Sequence, residues 1–579
     1  MSVSRKYLAI GIYCLISFPL FSQNTYLELN LNETTAGNPF AKIKPSLEIF
    51  RVIEKAADDK KIRGIILNIG SFSGGRDVLW ELRSSLEHFK SKGKKICAYI
   101  SNADIDAYCL ASVADKIVMD ELGTLSILGY SVNRGYVQHT LEKLGIGVRE
   151  LRYLEYKSAS ETYTRDSMSD ADRRQYNDYL DDIFNHTRET LKVARNWTDN
   201  DFDDILNNEF LYSAKRAQSR GLVDFIGGAA AVNEAVKEIE GKYINSFALY
   251  GASESSLTGN SNAYAPPKAG SLFNKPPIIA FVNADGQTDM ERGMSAMNLA
   301  KIIRELAGKS RVKAIVIKIN SPGGRADAAD HFAEAVRYAK FTKPVVVSMG
   351  EVAASGGYWA AMFANHITAT PYTVTGSIGV IGSWFYDNGL NSKLGLSTDS
   401  LKRGDHSDLL SGFIFPYRNL TAHEEEQYKK YILDIYDIFV TKVSAGRNMG
   451  IERVEAVAQG RVFSGLRARE VGLIDSIGGI PAALRTAREL AEIKESVKVR
   501  YEEYPRPTFW EKILDAFPLL SVFSRNAKSR NSAAQSAAQS AAQGAMIFED
   551  LLLPGADIRY RLENNGRVLP LLPLEFTLK

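Results

Sequence analysis

The sequence predicts an α/β protein built as a tandem duplication of one βαβ unit. Short β-branched runs, such as residues 314–319 and 344–348, alternate with helical patterns, such as residues 297–306 and 327–338. This alternation is typical of βαβ crossovers and a largely parallel sheet. The pattern recurs about 250 residues apart, and the 579 residues of the chain leave room for two such domains.

Four separated blocks carry the repeat. Residues 61–69 align with residues 311–319, which gives an offset of 311 − 61 = 250. The other three blocks are Gln175-Tyr-x-x-Tyr-x-x-Asp-Ile with its copy from Gln427, Arg195-Asn with Arg447-Asn, and Gly221-Leu-Val-Asp with Gly472-Leu-Ile-Asp. The offset stays between 249 and 252. Chance does not keep four blocks in register, so we expect two homologous domains.

The predicted organisation has five parts. They are an N-terminal segment (1–23), a first repeat (24–250), a linker (251–275) rich in Gly, Ser, Asn and Pro, a second repeat (276–500), and a tail (501–579) with three copies of Ser-Ala-Ala-Gln. In the first part, Arg5 and Lys6 precede the mainly apolar residues 7–21. As a helix this stretch reaches about 22 Å, short of a ~30 Å hydrocarbon core. A removed signal peptide and a retained short membrane anchor both remain open.

Composition excludes several classes of protein. The 71 Lys and Arg against 68 Asp and Glu leave a net charge of +3, too small for a chain that binds nucleic acid through its phosphates. Three cysteines cannot form a disulfide framework, and Cys97 and Cys109 are expected to be buried hydrophobic residues. The sequence contains no C-x-x-C or H-E-x-x-H motif, and no metal or other cofactor is predicted.

A candidate nucleophile lies in the second repeat. Ser355 is flanked only by Ala and Gly at a predicted strand-to-helix corner, where its hydroxyl is open to a substrate carbonyl. The N–H of Gly356 and the glycine-rich Asn320-Ser-Pro-Gly-Gly324 turn can donate to an oxyanion, so Gly324 and Gly356 are the candidate oxyanion residues. The alternative for the glycine-rich turn is a plain tight turn without a ligand. The alternative for the small residues around Ser355 is a site where helix and sheet pack closely.

A nucleophilic serine needs a base, and the sequence offers histidines and a lysine. None of the seven histidines stands in an arrangement that marks it as the base, although spacing does not exclude a spatial triad. A lysine can serve if burial lowers its pKa well below the reference value of ~10.4. At the offset of 250, Lys157 aligns with Ser407, and Ser355 aligns with Ile105. Each repeat thus keeps one half of a Ser/Lys pair, which favours Lys157 as the base over a solvated surface lysine.

These residues resemble the signal peptide peptidase A (protease IV) family in its long, two-repeat form. The matching motifs are Asn320-Ser-Pro-Gly-Gly324, Ala353-Ala-Ser-Gly-Gly-Tyr-Trp359, Thr375-Gly-Ser-Ile-Gly379, Tyr156-Lys-Ser-Ala159, and Gly460-Arg-Val-Phe-Ser-Gly465 followed by Gly472-Leu-Ile-Asp475. The resemblance runs from about residue 45 to 485 and implies a Clp/crotonase-like fold with a serine/lysine dyad, in which Ser355 is the nucleophile and Lys157 the general base. It further implies a homo-oligomer, a tetramer, on the periplasmic side of the cytoplasmic membrane, in the cell envelope, that cuts remnant signal peptides. The chain departs from the family at Ser160-Glu-Thr-Tyr163, in its short N-terminal segment, and in the tail beyond residue 525.

The sequence is compatible with three functions. The leading hypothesis is a membrane-associated, extracytoplasmic serine endopeptidase that degrades cleaved signal peptides and other unstructured apolar peptides, binding them along strand edges. A crotonase-like acyl-CoA enzyme is the second, because a glycine-rich oxyanion loop also serves thioesters. A catalytically silent scaffold in the envelope is the third. The Ser355 and Lys157 pair favours the peptidase.

Overall fold

The structure is a computed structural model, and it describes residues 25–31, 47–72, 74–244, 247–249, 276–506, 568–569 and 577–578. The predicted N-terminal segment, the predicted linker and most of the predicted tail, including its Ser-Ala-Ala-Gln copies, lie outside the described residues. The domain boundaries given above therefore stay predictions.

The first repeat alternates strands and helices along the chain. Its elements are β1 (Thr25–Asn30), α1 (Leu47–Asp58), β2 (Ile62–Gly70), α2 (Arg76–Ser91), β3 (Lys95–Ala103), α3 (Ile105–Ala111), β4 (Lys116–Ser126), β5 (Val132–Asn133), α4 (Gln138–Leu144), β6 (Ile146–Leu151), α5 (Glu161–Thr164), α6 (Asp170–Arg195), α7 (Asp199–Asn207), β7 (Leu211–Ser213), α8 (Ala214–Ser219), β8 (Phe225–Ile226), α9 (Ala229–Glu240) and β9 (Phe247–Leu249).

The second repeat follows the same plan, and two short strands come from the C-terminal segment. The elements are β10 (Ile278–Asp285), β11 (Thr288–Asp289), β12 (Met294–Ser295), α10 (Ala296–Gly308), β13 (Val312–Ser321), α11 (Ala326–Lys340), β14 (Val345–Ala354), α12 (Gly356–Ala361), β15 (His366–Ala369), β16 (Val374–Gly376), β17 (Ile381–Asp387), α13 (Leu390–Lys393), α14 (Ala422–Arg447), α15 (Ile451–Val457), β18 (Val462–Ser464), α16 (Gly465–Glu470), β19 (Ser476–Ile477), α17 (Ile480–Leu490), β20 (Arg500–Tyr504), β21 (Val568–Leu569) and β22 (Thr577–Leu578).

The two main sheets have the same strand order, which confirms the α/β class and the tandem duplication. The first sheet runs β7-β4-β3-β2-β1-β9, and the second runs β18-β16-β14-β13-β10-β20. The central pairs are parallel in both sheets. Equivalent side chains also make equivalent contacts, since the hydroxyl of Tyr108 donates to Leu222 O at 2.7 Å and that of Tyr358 donates to Leu473 O at 2.8 Å. Residues related by the sequence offset therefore occupy equivalent positions in the two repeats of the structure.

The central strands are buried because helices cover both faces of each parallel sheet. Residues 314–317 of β13 are all fully buried, which explains the uninterrupted apolar run in the sequence. Cys97 on β3 and Cys109 on α3 are buried free thiols, as the sequence predicts.

The long helices α6 and α14 begin and end by equivalent means. The hydroxyl of Ser169 accepts a hydrogen bond from Asp172 N at the start of α6, and the hydroxyl of Thr421 accepts one from Glu424 N at the start of α14. Each helix ends at an asparagine with a left-handed backbone, Asn196 in α6 (φ 55°) and Asn448 in α14 (φ 53°). Side-chain caps and left-handed ends satisfy backbone groups that a helix leaves unpaired.

The two repeats share one apolar core across their interface. A buried cluster joins first-repeat side chains such as Leu86 and Phe89 to Phe281, Val316 and Val346 of the second sheet. Strand β6 of the first repeat also pairs antiparallel with β17 of the second. The repeats consequently form one continuous packed unit.

A buried ion cluster lies in this interface. The Nζ of Lys318 on β13 is 2.8 Å from Oε1 of Glu81 and 3.4 Å from Oδ2 of Asp77, both on α2. The second carboxylate oxygen of Glu81 accepts a hydrogen bond from Ile480 N at 3.3 Å. All three charged side chains are buried. The cluster therefore fixes α2 of the first repeat against the second sheet.

Among the described residues, none of the helices combines the length and the apolar character that crossing a bilayer requires.

We expect Lys318→Met to lower the free energy of unfolding by about 3–5 kcal/mol, because removal of one partner leaves buried charges without compensation. Thermal or urea unfolding followed by circular dichroism measures the loss. Adding Glu81→Gln and Asp77→Asn to the same chain should recover most of the stability, since the remaining side chains are then neutral. Equal stability of Lys318→Met and the parent would contradict this account.

Candidate active site

Ser355 stands at the corner where β14 ends and α12 begins, as the sequence predicts. Its backbone has φ 56° and ψ −115°, a conformation that a residue with a side chain rarely adopts. The N–H of Ser355 donates to Gly376 O at 2.8 Å, and its carbonyl accepts from Trp359 N at 2.8 Å. These bonds hold the sharp turn at this corner.

Lys157 comes from the first repeat, in the turn between β6 and α5. Its side chain is 1% exposed. The backbone of the lysine rests against Gly460 of the second repeat, where an added Cβ would lie 2.6 Å from Lys157 Cβ. The neighbouring Tyr156 N donates to Gln459 O at 2.9 Å. A segment of the first repeat is thereby inserted into the second.

The structure brings Lys157 and Ser355 together within one chain. Lys157 Nζ is 2.7 Å from Ser355 Oγ, 2.9 Å from Ser377 Oγ and 2.8 Å from Ser377 O. All three oxygens belong to uncharged groups. A neutral amine at this distance can accept the serine proton, and the two Ser377 oxygens fix the direction of the amine.

Ser377 is a site residue that the sequence analysis did not assign. It lies in the Thr375-Gly-Ser-Ile-Gly379 motif, has a left-handed backbone (φ 49°), and donates its N–H to Arg461 O at 2.7 Å. This turn directs both the hydroxyl and the carbonyl of Ser377 at the lysine. The motif could have pointed to Ser377, but the sequence did not predict which group this serine contacts.

The two candidate oxyanion glycines lie side by side next to the nucleophile. A Cβ on Gly356 would come within 3.2 Å of Gly324 N, and one on Gly324 would clash with Thr288 O at 2.0 Å. The turn before Gly324 is held by Thr288, whose N–H donates to Gly323 O and whose carbonyl accepts from Arg325 N, both at 2.8 Å. Glycine at both positions therefore allows a backbone approach that any side chain would block.

Buried polar groups hold the lysine segment in place. Ser158 donates its hydroxyl to Asp172, Gln175 Nε2 donates to Ser158 Oγ at 3.2 Å, and Arg134 Nη2 donates to Ser158 O at 2.5 Å. Burial disfavours the carboxylate of Glu161, but hydrogen bonds from Ser169 and Arg152 outweigh it and lower the pKa of this group. The segment around Lys157 is thus anchored by a connected polar network.

The residues where the chain departs from the family pack against the second repeat. Ser160 Oγ lies 2.6 Å from Ser383 Oγ, and the ring of Tyr163 meets Phe385 edge-on with centroids 5.4 Å apart. Both partners are on β17. The residues after Lys157 that differ from the family therefore also hold the Lys157 segment against the second repeat.

The residues related to Ser355 and Lys157 by the duplication do not form a second serine/lysine pair. Ile105, the counterpart of Ser355, is a buried apolar residue at the start of α3. Its neighbour Asp106 accepts hydrogen bonds from Tyr130 OH at 2.5 Å and forms an ion pair with Arg76 at 2.8 Å. Ser407, the counterpart of Lys157, is exposed and donates to Gly404 O at 2.9 Å. In the first repeat, the surroundings of the position equivalent to Ser355 thus consist of apolar packing and an ion pair.

Three histidines contact side chains other than that of Ser355. His366 contacts Ser476 at 2.8 Å, His139 contacts Glu142 at 3.0 Å, and His406 contacts Glu424 at 2.8 Å. Lysine, rather than one of these histidines, is the group in contact with the Ser355 hydroxyl.

A buried serine in contact with a lysine, at a strand-to-helix corner lined by glycines, is an arrangement suited to a serine peptidase, and comparison with known proteins shows this class. The model of peptidase family S49 matches residues 88–242 and 338–494, one match in each repeat. The chain therefore belongs to peptidase family S49 and is a hydrolase of the serine peptidase class. This result decides against the acyl-CoA alternative.

Long relatives match both repeats. The chain is 30% identical over 469 residues to the chloroplastic serine protease SPPA of Arabidopsis thaliana, covering 78% of this chain and 67% of that protein. It is 30% identical over 473 residues to Protease 4 of Haemophilus influenzae (79% and 74% covered) and 30% identical over 483 residues to Protease 4 of Salmonella typhi (81% and 75% covered). The resemblance to the two-repeat protease IV type is confirmed.

We expect Ser377→Ala to lower kcat about 10- to 100-fold, the equivalent of ~1.5–3 kcal/mol for a hydrogen bond to a charged group. KM should stay unchanged, because Ser377 orients the lysine and is a positioning residue. Steady-state cleavage of a quenched fluorescent peptide measures both constants. Ser383→Ala is the matched control, since it removes a nearby hydroxyl that contacts Ser160 instead of Lys157. An unchanged kcat in Ser377→Ala would contradict this role.

Proposed function

We propose that this protein is an extracytoplasmic, membrane-associated serine endopeptidase that degrades cleaved signal peptides and other unstructured apolar peptides through a Ser355/Lys157 dyad. The observation that carries the proposal is the 2.7 Å contact between Lys157 Nζ and Ser355 Oγ. Membership of peptidase family S49 supports the reaction class. The apolar residues 7–21 at the N-terminus support export or membrane contact.

The chemistry proceeds through an acyl-enzyme. Neutral Lys157 accepts the hydroxyl proton as Ser355 Oγ attacks the scissile carbonyl, and the N–H groups of Gly324 and Gly356 stabilise the developing oxyanion. The resulting ammonium donates its proton to the leaving amine, which breaks the C–N bond. A water molecule then attacks the acyl-enzyme, with Lys157 again accepting a proton, and the free Ser355 hydroxyl is restored. Ser377 keeps the amine directed at Ser355 in both steps.

Burial suits a lysine to this role. Water stabilises the positive charge of an ammonium group, and a lysine buried between the two repeats lacks that water. Lys157 Nζ contacts the hydroxyl of Ser355 and the hydroxyl and carbonyl of Ser377. Burial of the amine favours its neutral, proton-accepting form.

We expect Ser355→Ala and Lys157→Met each to lower kcat by at least about 10³-fold, because residues that act as a unit lose most of the rate when either is removed. Methionine fills the buried volume of the lysine, so thermal unfolding should show that the fold is retained. A leucine-rich quenched peptide and covalent labelling of Ser355 by a fluorophosphonate give the two readouts.

Ser407→Ala is the control for the dyad variants, since this exposed serine occupies the counterpart position of Lys157 in the second repeat. It should turn over like the parent. Near-parent turnover in Lys157→Met would sink the lysine assignment and direct attention to the histidines.

The active form is proposed to be a homo-oligomer in which the second repeat of one chain contacts the first repeat of the next. Within the chain, Asp182 on α6 accepts a hydrogen bond from Ser464 Oγ at 2.6 Å and pairs with Arg467 at 2.7 Å. This contact joins the first repeat to β18 and α16 of the second. The duplication supplies each repeat with both sides of the same interface.

The corresponding surfaces at the two ends of the chain are exposed. Asp434 on α14 is the counterpart of Asp182, and Arg216 on α8 is the counterpart of Arg467. Apolar side chains accompany them, Tyr431 (55% exposed) on α14 and Leu211 (50% exposed) on β7. Repetition of the internal contact between chains pairs Asp434 with Arg216. Such a head-to-tail contact closes into a ring, for which the family resemblance implies four chains.

We expect Asp434→Arg to dissociate the oligomer, because it places two like charges at each contact between chains. Arg216→Asp should have the same effect, and the two changes combined in one chain should restore the contact. Analytical ultracentrifugation measures the mass. Glu305→Arg, a charge reversal at an exposed site on α10, is the control. An Asp434→Arg chain with the parent's mass would refute this interface.

A further inference from the structure

A buried amide side chain bridges the two repeats beside the dyad. Gln175, in the second turn of α6, is 1% exposed. Its Nε2 lies 3.3 Å from Tyr156 O and 3.2 Å from Ser158 Oγ. Its Oε1 accepts a hydrogen bond from Val462 N at 3.1 Å. One side chain therefore contacts the residues on both sides of Lys157 in the first repeat and strand β18 in the second.

On the second repeat, this contact lies next to the backbone partners of both site serines. Val462 begins β18 and lies opposite Gly376 in the antiparallel pairing of β18 with β16. The carbonyl of Gly376 accepts the N–H of Ser355 at 2.8 Å. The carbonyl of Arg461, the residue before Val462, accepts the N–H of Ser377 at 2.7 Å. The Gln175 amide thus connects the lysine segment to the strands that hold the two serines.

The hydrogen-bonding character of the neighbours fixes the orientation of the amide. Val462 N can only donate, so it requires the oxygen of Gln175, and Tyr156 O can only accept, so it requires the nitrogen. Asp172 Oδ1 also faces that nitrogen, at 2.9 Å. A carboxylate at position 175 could not donate to these acceptors, and a hydrocarbon side chain could serve neither side. Glutamine is the side chain of this length that satisfies both repeats at once.

The duplicated copy of this glutamine separates its role in the site from its role in the helix. Gln175 and Gln427 begin the same Gln-Tyr-x-x-Tyr-x-x-Asp-Ile motif. Their helices, α6 and α14, both have 26 residues, although Gln427 is exposed. In the second repeat the counterpart of Lys157 is Ser407, so no catalytic amine lies there to be held. A buried glutamine is thus not required to form the long helix.

We propose that Gln175 is a positioning residue of the peptidase, which sets the approach of Lys157 Nζ to Ser355 Oγ by holding the lysine segment against β18. The inference rests on the proposed dyad. Misplacement of a reacting group by about 1 Å can cost about 10²-fold in rate. Because Gln175 is buried and acts through Lys157, its loss changes the chemical step and leaves substrate binding as it is.

The test is Gln175→Met in the full chain, because methionine keeps the length and volume of the side chain and removes the amide. We expect kcat for a quenched fluorescent peptide to fall about 10- to 100-fold with KM unchanged. Labelling of Ser355 by a fluorophosphonate, taken to completion, counts the competent chains, so kcat is expressed per labelled chain. Gln427→Met is the matched control and should keep the parent's kcat. A parent-like kcat per labelled chain in Gln175→Met overturns the proposal.

A second variant covers the case in which the buried methionine prevents folding. Gln175→Asn keeps an amide but is one methylene shorter, so it cannot reach Val462 N and Tyr156 O together. It should show the same fall in kcat at unchanged KM. Circular dichroism identifies which variants are folded, and a folded Gln175→Asn chain with the parent's kcat also overturns the proposal.

The rate of fluorophosphonate labelling separates positioning from a general structural effect. Gln175→Met should slow labelling in the parent and cause no further slowing in a Lys157→Met chain, because it acts through the lysine. Equal slowing in both backgrounds overturns the positioning role and leaves the dyad intact. Labelling of Lys157→Met at the parent's rate counts instead against the proposed dyad, and the proposal for Gln175 falls with it.

Discussion

The site depends on burying one lysine amine between two halves of the chain. A lysine amine loses the solvation of water in such a place, so it needs polar partners at short range. Lys157 has them in Ser355 and Ser377, which belong to the other repeat. Any displacement of one repeat against the other would separate donor from acceptor. The shared apolar core and the β6–β17 pairing therefore serve the chemistry as much as stability.

Duplication allowed the two repeats to specialise without loss of the fold. Both keep the same strand order, and both keep the buried tyrosine that bonds to a distant carbonyl, Tyr108 and Tyr358. The first repeat has Ile105 at the position equivalent to Ser355, and Arg76, Asp106 and Tyr130 form a cluster beside it. In the proposed mechanism, one repeat consequently supplies the base and the other supplies the nucleophile with its oxyanion glycines.

Much of this could be predicted from the sequence, because repeats and buried strands leave a regular signal. The duplication and the complementary losses at Ile105 and Ser407 came from the aligned blocks. The strand-to-helix corner at Ser355 came from the small residues that flank this serine. Ser377 could not be assigned, because its role depends on a left-handed backbone that turns both of its oxygens toward a lysine 220 residues away. The β6–β17 pairing was also missed, since short antiparallel strands from different repeats have no shared pattern.

The split origin of the dyad also affects when the enzyme becomes active during its own synthesis. Lys157 and Ser355 are 198 residues apart, and a ribosome adding roughly 5–20 residues per second needs about 10–40 s to cover that distance. Under the proposed mechanism, the first repeat emerges with the base and before the nucleophile. Arg461 and Gly460, which hold Ser377 and the lysine segment, come later still. On that mechanism, a nascent chain is unable to cut neighbouring polypeptides until its second half has folded onto the first.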